Sequence, residues 1–165
     1  MTQTSLAIRA ARIEDGEAVA DIYAPYVLGT AVSFEEEPPT SAVMSERIGS
    51  TLPTHPWLVV ERAGSVVGFT YAGKHSQRTA YRWTVDATVC IMNNERRSGL
   101  GTGLYIHALF DCGLLAFDPD TRQVVLADRL KGSNYARLAG QALRETIDPV
   151  HRPSLLSLAQ QFERI

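Results

Sequence analysis

Apolar and polar positions along the chain follow two rhythms, one helical and one of a sheet. Ser5 to Arg9 is a short apolar run of strand length. After it Ile13, Val19, Ile22, Tyr23 and Tyr26 recur at roughly helical spacing, with Glu14 and Asp15 placed as acids are at a helix start. Pro25 is expected to end or bend that helix. Thr30 to Phe34 reads as extended, and Glu35-Glu36-Glu37-Pro38-Pro39 leads to Thr40 or Ser41, either of which caps a helix through Met44 and Ile48. From Trp57 the rhythm changes. Trp57-Leu58-Val59-Val60 and Val66-Val67-Gly68-Phe69-Thr70-Tyr71 are β-branched and aromatic and flank Arg62-Ala63-Gly64-Ser65, which predicts a hairpin. A third such run, Tyr81 to Ile91, makes an antiparallel meander of three strands. A glycine-rich turn, Asn93 to Gly103, then opens a helix on Leu104, Ile106, Leu109 and Phe110. Further on, Leu114 to Phe117 and Gln123 to Ala127 flank Asp118-Pro119-Asp120-Thr121 as a second hairpin, and helices are expected over Ser133 to Leu143 and from Ser154 to Phe162. The sum is an α/β chain of the α+β kind.

Length and composition narrow the function classes. With 165 residues the chain matches one domain, or one core with an appendage, at ~100–200 residues per domain. Apolar residues are 45% and charged residues 21%, which excludes a disordered, fibrous or coiled-coil chain. Sixteen basic against eighteen acidic residues leave a net charge of −2, so no basic field gathers nucleic acid and no nucleic-acid partner is expected. Cys90 and Cys112 form no CxxC pair, and His55, His75, His107 and His151 show no metal-ligand spacing, so neither a disulfide framework nor a metal site is expected. No apolar run reaches the ~18 residues of a membrane span, and Met1 to Ile8 lacks the basic start and apolar stretch of a signal peptide. A cytoplasmic protein without a membrane partner is the expectation.

The segment that carries chemistry is Arg96-x-x-Gly99-x-Gly101. Glycines before a helix let backbone approach a ligand, while unpaired N–H groups and the positive helix end face an anion. Arg96 and Arg97 add charge-assisted bonds suited to phosphate. A plain turn is the alternative reading of the same residues, and it stays open on the motif alone.

Together with this turn, Trp83-Thr84-Val85-Asp86-Ala87-Thr88-Val89-Cys90-Ile91, Asp21-Ile22-Tyr23 and His55-Pro56-Trp57-Leu58-Val59 resemble the GNAT acyltransferases, in particular the phosphinothricin N-acetyltransferase group, over about residues 8–110. The resemblance implies a GNAT-like acyl-CoA N-acyltransferase fold over 1–110 and an atypical segment over 111–165. It implies acetyl-CoA as cosubstrate, with Val89, Cys90 and Ile91 along the pantetheine arm and Arg96, Arg97, Ser98, Gly99, Leu100, Gly101 and Thr102 at the phosphates. It implies transfer of acetyl to the primary amine of a small molecule or amino-acid analogue, in a homodimer. An ammonium has no lone pair and must lose a proton before attack. The implied base is Asp86, where the group usually has the longer glutamate, and a bridging water restores the reach. Backbone N–H near Val89 would polarise the carbonyl. Tyr26, Phe34, Glu35 and Tyr71 fall in segments that wall the acceptor pocket of that group.

The likeness stops near Phe110. The last 62 residues lack the closing Gly-aromatic pair of the group. Ile106-His107-Ala108-Leu109-Phe110-Asp111 with Asp118-Pro119-Asp120-Thr121 and Arg152-Pro153-Ser154 is instead similar to the carboxyl end of HNH endonuclease domains, where the histidine matched by His107 helps to hold metal. The other ligands of that motif are missing. A degenerate nuclease-type domain, a non-catalytic CoA-binding remnant and a fusion of two unrelated halves are therefore the alternatives to a working transferase.

Overall fold

The computed structural model describes residues 6–76, 78 and 85–142, with Arg129 described by its backbone alone. The chain divides into two compact units, Met1–Ala108 and Leu109–Ile165. In the first, the elements are β1 (Leu6–Ala10), α1 (Gly16–Gly29), α2 (Ser41–Thr51), β2 (Trp57–Arg62), β3 (Ser65–Lys74), β4 (Val85–Ile91) and α3 (Leu100–Asp111), whose last residues fall in the second unit. The four strands form one sheet in the order β1-β2-β3-β4, every neighbour antiparallel. The expected meander is present, and its residues Tyr81 to Thr84 lie outside the described residues.

Side-chain alternation along these strands builds two cores. Trp57, Val59, Phe69 and Cys90 turn to one face and pack with Val19 and Ile22 of α1 and Met44 and Ile48 of α2. Leu58, Val60, Val67 and Ile91 turn to the other and pack with Leu100 and Leu104 of α3. Strict alternation would place Val67 and Phe69 on the same face. A register shift separates them, because Val60 faces Gly68 while Glu61 faces Val66, so Val67 is an extra residue in β3. Gly68 beside it is required by space. A Cβ there would collide with Ile91 Cδ1 and lie 3.0 Å from the Cys90 carbonyl oxygen and 3.1 Å from Val60 Cγ1. Gly68→Ala is accordingly expected to cost about 1–3 kcal/mol through overpacking, read as a lower urea midpoint. An unchanged midpoint would show that β4 moves aside freely.

Polar groups fix how the helices enter. Arg9 on β1 bonds Asp15 at 2.7 Å and Glu61 on β2 at 2.6 Å, and Asp15 also accepts from the Arg12 N–H at 2.7 Å just before α1. The Arg9 guanidinium, bonded to it, holds the Asp15 carboxyl below the usual range against the opposing effect of burial. Thr40 caps α2 by accepting from the Val43 N–H. Two expectations narrow: Pro25 does not end its helix, and the extended reading of Thr30 to Phe34 holds at Thr30, at φ −144 and ψ 160, without giving a strand. Pro25 lies inside α1, which continues to Gly29; Pro25 lacks the donor for an i→i−4 bond, but it sits on the exposed side, where water can serve the carbonyl left over. Thr30 to Phe34 forms no strand and is a bend held by Thr30 Oγ1 on the Tyr26 carbonyl at 2.6 Å.

The second unit starts in the last turn of α3. Gly113, at φ 63, closes the helix with its own N–H on the Phe110 carbonyl and the Leu114 N–H on that of Leu109. Strands β5 (Leu115–Phe117) and β6 (Val124–Leu126) pair antiparallel, as the second hairpin predicts. Asp118 shapes their turn by accepting from the N–H groups of Asp120 and Thr121 at 3.0 and 2.7 Å. The helix expected over Ser133 to Leu143 is only a short 3-10 turn at Asn134–Leu138. Gly140 at φ 75 and a bridge between Gln123 and Ala142 turn the chain back onto the hairpin. Leu143 and the expected helix from Ser154 to Phe162 lie outside the described residues.

Candidate active site

Strand β4 is the last strand of its sheet, so one of its edges faces away from β3. In an antiparallel pair the backbone groups of successive residues alternate between the partner and the outside. The Met92 N–H donates to the Val67 carbonyl at 2.9 Å, so Cys90, Thr88 and Asp86 direct their backbone groups at β3, and Ile91 and Val89 direct theirs outward. Ile91 is already satisfied. The Tyr26 hydroxyl donates to its carbonyl at 2.7 Å and accepts from its N–H at 3.0 Å. Of the three residues expected along a pantetheine arm, only Val89 therefore presents backbone N–H and C=O at the outer edge. Cys90 is corrected to a core position, 3% exposed.

The chain leaves β4 through a 3-10 turn at Asn93–Glu95 and reaches α3 through Arg96 to Gly99. Arg97 and Gly99 both adopt left-handed backbone, at φ 65 and 85, which wraps the segment around the helix start. The Gly103 N–H closes the first helical turn on the Gly99 carbonyl at 3.0 Å, so the N–H groups of Leu100, Gly101 and Thr102 precede it without helical acceptors. Ser98 turns its hydroxyl proton to the Glu95 carbonyl at 2.5 Å. Leu100 is buried against the sheet and contributes only backbone to the cradle. A Cβ at Gly101 would stand 3.7 Å from Ile91 Cγ1 and 3.8 Å from Val89 Cγ1, ordinary contacts, and nothing lies within 4 Å of one at Gly103. The fold itself does not fill the space over these glycines. An anion suits it, with a positive helix end at the space and Arg96 and Arg97 close by in sequence. The Arg96 guanidinium sits 5.1 Å from the centre of the Tyr26 ring, so Tyr26 fixes both the strand end and the first arginine. Beside it a cleft of ≈ 350 Å³ runs between Asp21, Pro25 and Tyr26 of α1 and Ile91 to Asn94.

The residues expected to wall the acceptor pocket differ in what already engages them. Phe34 is fully exposed. Glu35 is clamped by Arg47 at 2.9 and 3.0 Å and by the Tyr23 hydroxyl at 3.1 Å. Arg47 holds its carboxyl below the usual range, so it is a compensated charge rather than a free attractor for an amine. Tyr71 stacks on Trp57 at 4.4 Å. Tyr26 is committed to the end of β4 through its two bonds to Ile91.

Asp86 stands on the α1 side of β4, two-thirds exposed, and its Oδ1 lies 2.8 Å from His75 Nδ1. The pair follows from the register. Gly73 faces Asp86, and His75 comes two residues later on the same face. Sequence reading passes over His75, because its only signal is a pairing register that a sequence does not print. Burial pushes the Cys90 thiol up to about 11 against the pull of Arg96, so it remains a protonated core group. Among the described residues no group of three His, Cys, Asp or Glu is placed to hold a metal ion, and no helix is long and apolar enough to cross a membrane.

Among the described residues, a four-stranded antiparallel sheet with one unpaired edge on β4 and a glycine-arginine turn onto α3 match the fold of the GNAT acetyltransferases. A GNAT superfamily phosphinothricin acetyltransferase from Sinorhizobium meliloti, solved in complex with acetyl-CoA, superposes with a TM-score of 0.63 at 29% identity, covering 67% of this chain and 61% of that one. Over 102 residues the chain is 40% identical to the phosphinothricin N-acetyltransferase of Streptomyces viridochromogenes, covering 62% of this chain and 56% of the relative. Over 113 residues it is 33% identical to that of Alcaligenes faecalis, covering 68% and 57%. The chain thus spans little more than half the length of the curated relatives it matches. No family model matches it.

Proposed function

We propose that the chain is an N-acetyltransferase that moves acetyl from acetyl-CoA to the primary amine of a small molecule or amino-acid analogue of the phosphinothricin type. The observation that carries this is the continuity of the outward Val89 backbone with the Arg96 to Thr102 cradle, a hydrogen-bonding edge leading to an anion site. Val89 offers its N–H and C=O to the pantetheine amides and the acetyl oxygen, and the cradle takes the phosphates. Acetyl-CoA, when bound, supplies an acetyl thioester. Cys90 is buried and burial pushes its thiol up to about 11, which speaks against an acetyl-enzyme at this residue and favours direct transfer. Asp86 is exposed on the same strand and receives the ammonium proton, directly or through water.

Thermal unfolding with and without saturating acetyl-CoA tests the site, since a ligand of the native state at 100 times its dissociation constant adds about 2.7 kcal/mol. An upward shift of several degrees is expected, and a cooperative transition that does not move would remove the cofactor site. Asp86→Ala is expected to lower kcat about 100-fold and leave that shift intact; unchanged turnover would take Asp86 out of the mechanism. The same reading carries a cytoplasmic homodimer without nucleic-acid or membrane partners, and a division into a transferase domain over residues 1–110 and an atypical segment over 111–165. No observation favours the nuclease-type alternative, because His107 is a surface residue of α3 without a described cluster of ligands around it.

A further inference from the structure

We propose that Tyr26 is an internal stand-in for the cofactor, which holds the end of β4 closed until acetyl-CoA displaces it. This rests on the transferase reading and adds how that site is kept and opened. Ile91 and Val89 direct their backbone groups to the same outer edge of β4, and Ile91 is the nearer of the two to the turn that opens α3. A pantetheine arm that leaves phosphates held in that turn therefore comes to Ile91 before Val89. At Ile91 the place is taken. The Tyr26 hydroxyl donates to the Ile91 carbonyl at 2.7 Å and accepts from the Ile91 N–H at 3.0 Å. A secondary amide of the pantetheine arm would answer the same two groups with its own N–H and C=O, and the hydroxyl does both with one oxygen. The partner comes from α1, 65 residues earlier in the chain, where a neighbouring strand would ordinarily pair such an edge.

A second contact points the same way. The Arg96 guanidinium lies 5.1 Å from the centre of the Tyr26 ring, and phosphates compete for that cation as an amide competes for Ile91. One side chain thus engages two groups that the transferase reading assigns to two parts of one ligand. Tyr26 is half-buried, and the cleft of ≈ 350 Å³ between α1 and Ile91 to Asn94 lies along it, which gives the ring room to turn aside. The exchange trades hydrogen bonds for hydrogen bonds, so the tyrosine tunes affinity without abolishing it. Its effect is to divide the intrinsic affinity by the fraction of molecules whose edge is open. Without the hydroxyl, the closed arrangement leaves the Ile91 N–H and carbonyl unpaired, and the balance moves toward the open edge.

Calorimetric titration of the full chain and of Tyr26→Phe tests this, with acetyl-CoA and inorganic pyrophosphate as the two probes. The variant keeps an aromatic ring for Arg96 and loses only the two bonds to Ile91. Acetyl-CoA is expected to bind Tyr26→Phe about 3- to 10-fold more tightly than the wild type, as a larger open fraction requires. Pyrophosphate has no amide, makes no use of Ile91, and is expected to stay within about twofold of the wild type. Acetyl-CoA affinity that is unchanged or weaker in Tyr26→Phe overturns the proposal, because the tyrosine is then a brace that helps to hold the site. An equal gain for pyrophosphate also overturns it, by placing the effect at Arg96. A crystal structure of the wild-type chain with acetyl-CoA is a second measurement that does not depend on how the variant folds. The Tyr26 hydroxyl is expected away from Ile91 in that complex, and a hydroxyl still bonded to both backbone groups overturns the proposal. Failure of a cooperatively folded wild type and variant alike to bind acetyl-CoA overturns the transferase reading itself, and the proposal with it.

Discussion

Gly101→Asp is expected to weaken acetyl-CoA binding at least 100-fold, about 2.8 kcal/mol at 1.4 kcal/mol per tenfold, while the protein melts close to the wild-type temperature. The position separates binding from folding. A Cβ at residue 101 would meet only Val89 Cγ1 and Ile91 Cγ1, at 3.8 and 3.7 Å, so the sheet and α3 have room for it. A carboxylate there would stand in the first turn of α3, close to the N–H groups that open the helix. It would neutralise the field that a pyrophosphate needs and repel the ligand's own charge. Gly101→Ala is the control, with a smaller loss from crowding alone. Calorimetric titration of both variants decides it, and undiminished affinity in Gly101→Asp would show that the turn is a plain helix entry and not a phosphate cradle.

Much of the first unit is legible in the sequence because its signals are local. The β-branched and aromatic runs at Trp57–Val60 and Val66–Tyr71, the turn between them and the capping Thr40 each depend on residues close in sequence, and each appears in the structure. The glycine turn is legible for the same reason. What escapes depends on register. The extra residue Val67 changes which β3 side chains face α1, and no property of Val67 itself announces it. The Asp86 to His75 contact needs the pairing of Gly73 with Asp86, and the double bond from Tyr26 to Ile91 needs α1 laid across the end of β4. Glu35 looks like an acidic attractor because its partner Arg47 lies a helix away in sequence. Pro25 misleads for another reason: it rides the exposed side of α1, where neighbouring turns hold the helix together despite the missing donor. In the second unit Ser133 to Leu143 has adequate spacing for a helix, but the chain leaves its 3-10 turn at Ala139 and reverses at Gly140, and helix propensity is weak against such a turn.

Trp57→Ala is expected to destabilise the first unit by about 3–5 kcal/mol, a large share of the roughly 5–15 kcal/mol that holds a domain of this kind. The indole is 2% exposed, stacked on Tyr71 at 4.4 Å and on Phe69 at 6.0 Å, in the core that joins β2 and β3 to α1 and α2. Its loss leaves a cavity that aromatic neighbours on two strands cannot close without moving. The effect reaches the proposed site, because Tyr71 faces Thr88 and Phe69 faces Cys90 on β4, and the strand that carries Val89 is held in place through them. Urea unfolding is expected to show the midpoint fall, with acetyl-CoA affinity declining in the same variant. Trp57→Phe separates packing from hydrogen bonding. Trp57 Nε1 is buried with no hydrogen-bond partner among the described residues, so the smaller ring gives up contact area but also removes an unsatisfied donor. A cost under about 1.5 kcal/mol is expected for it. Equal losses in the two variants would mean that the indole N–H carries the stability after all, and an Ala variant as stable as wild type would move the weight of this core from the aromatic stack to the aliphatic residues around Val59 and Ile48.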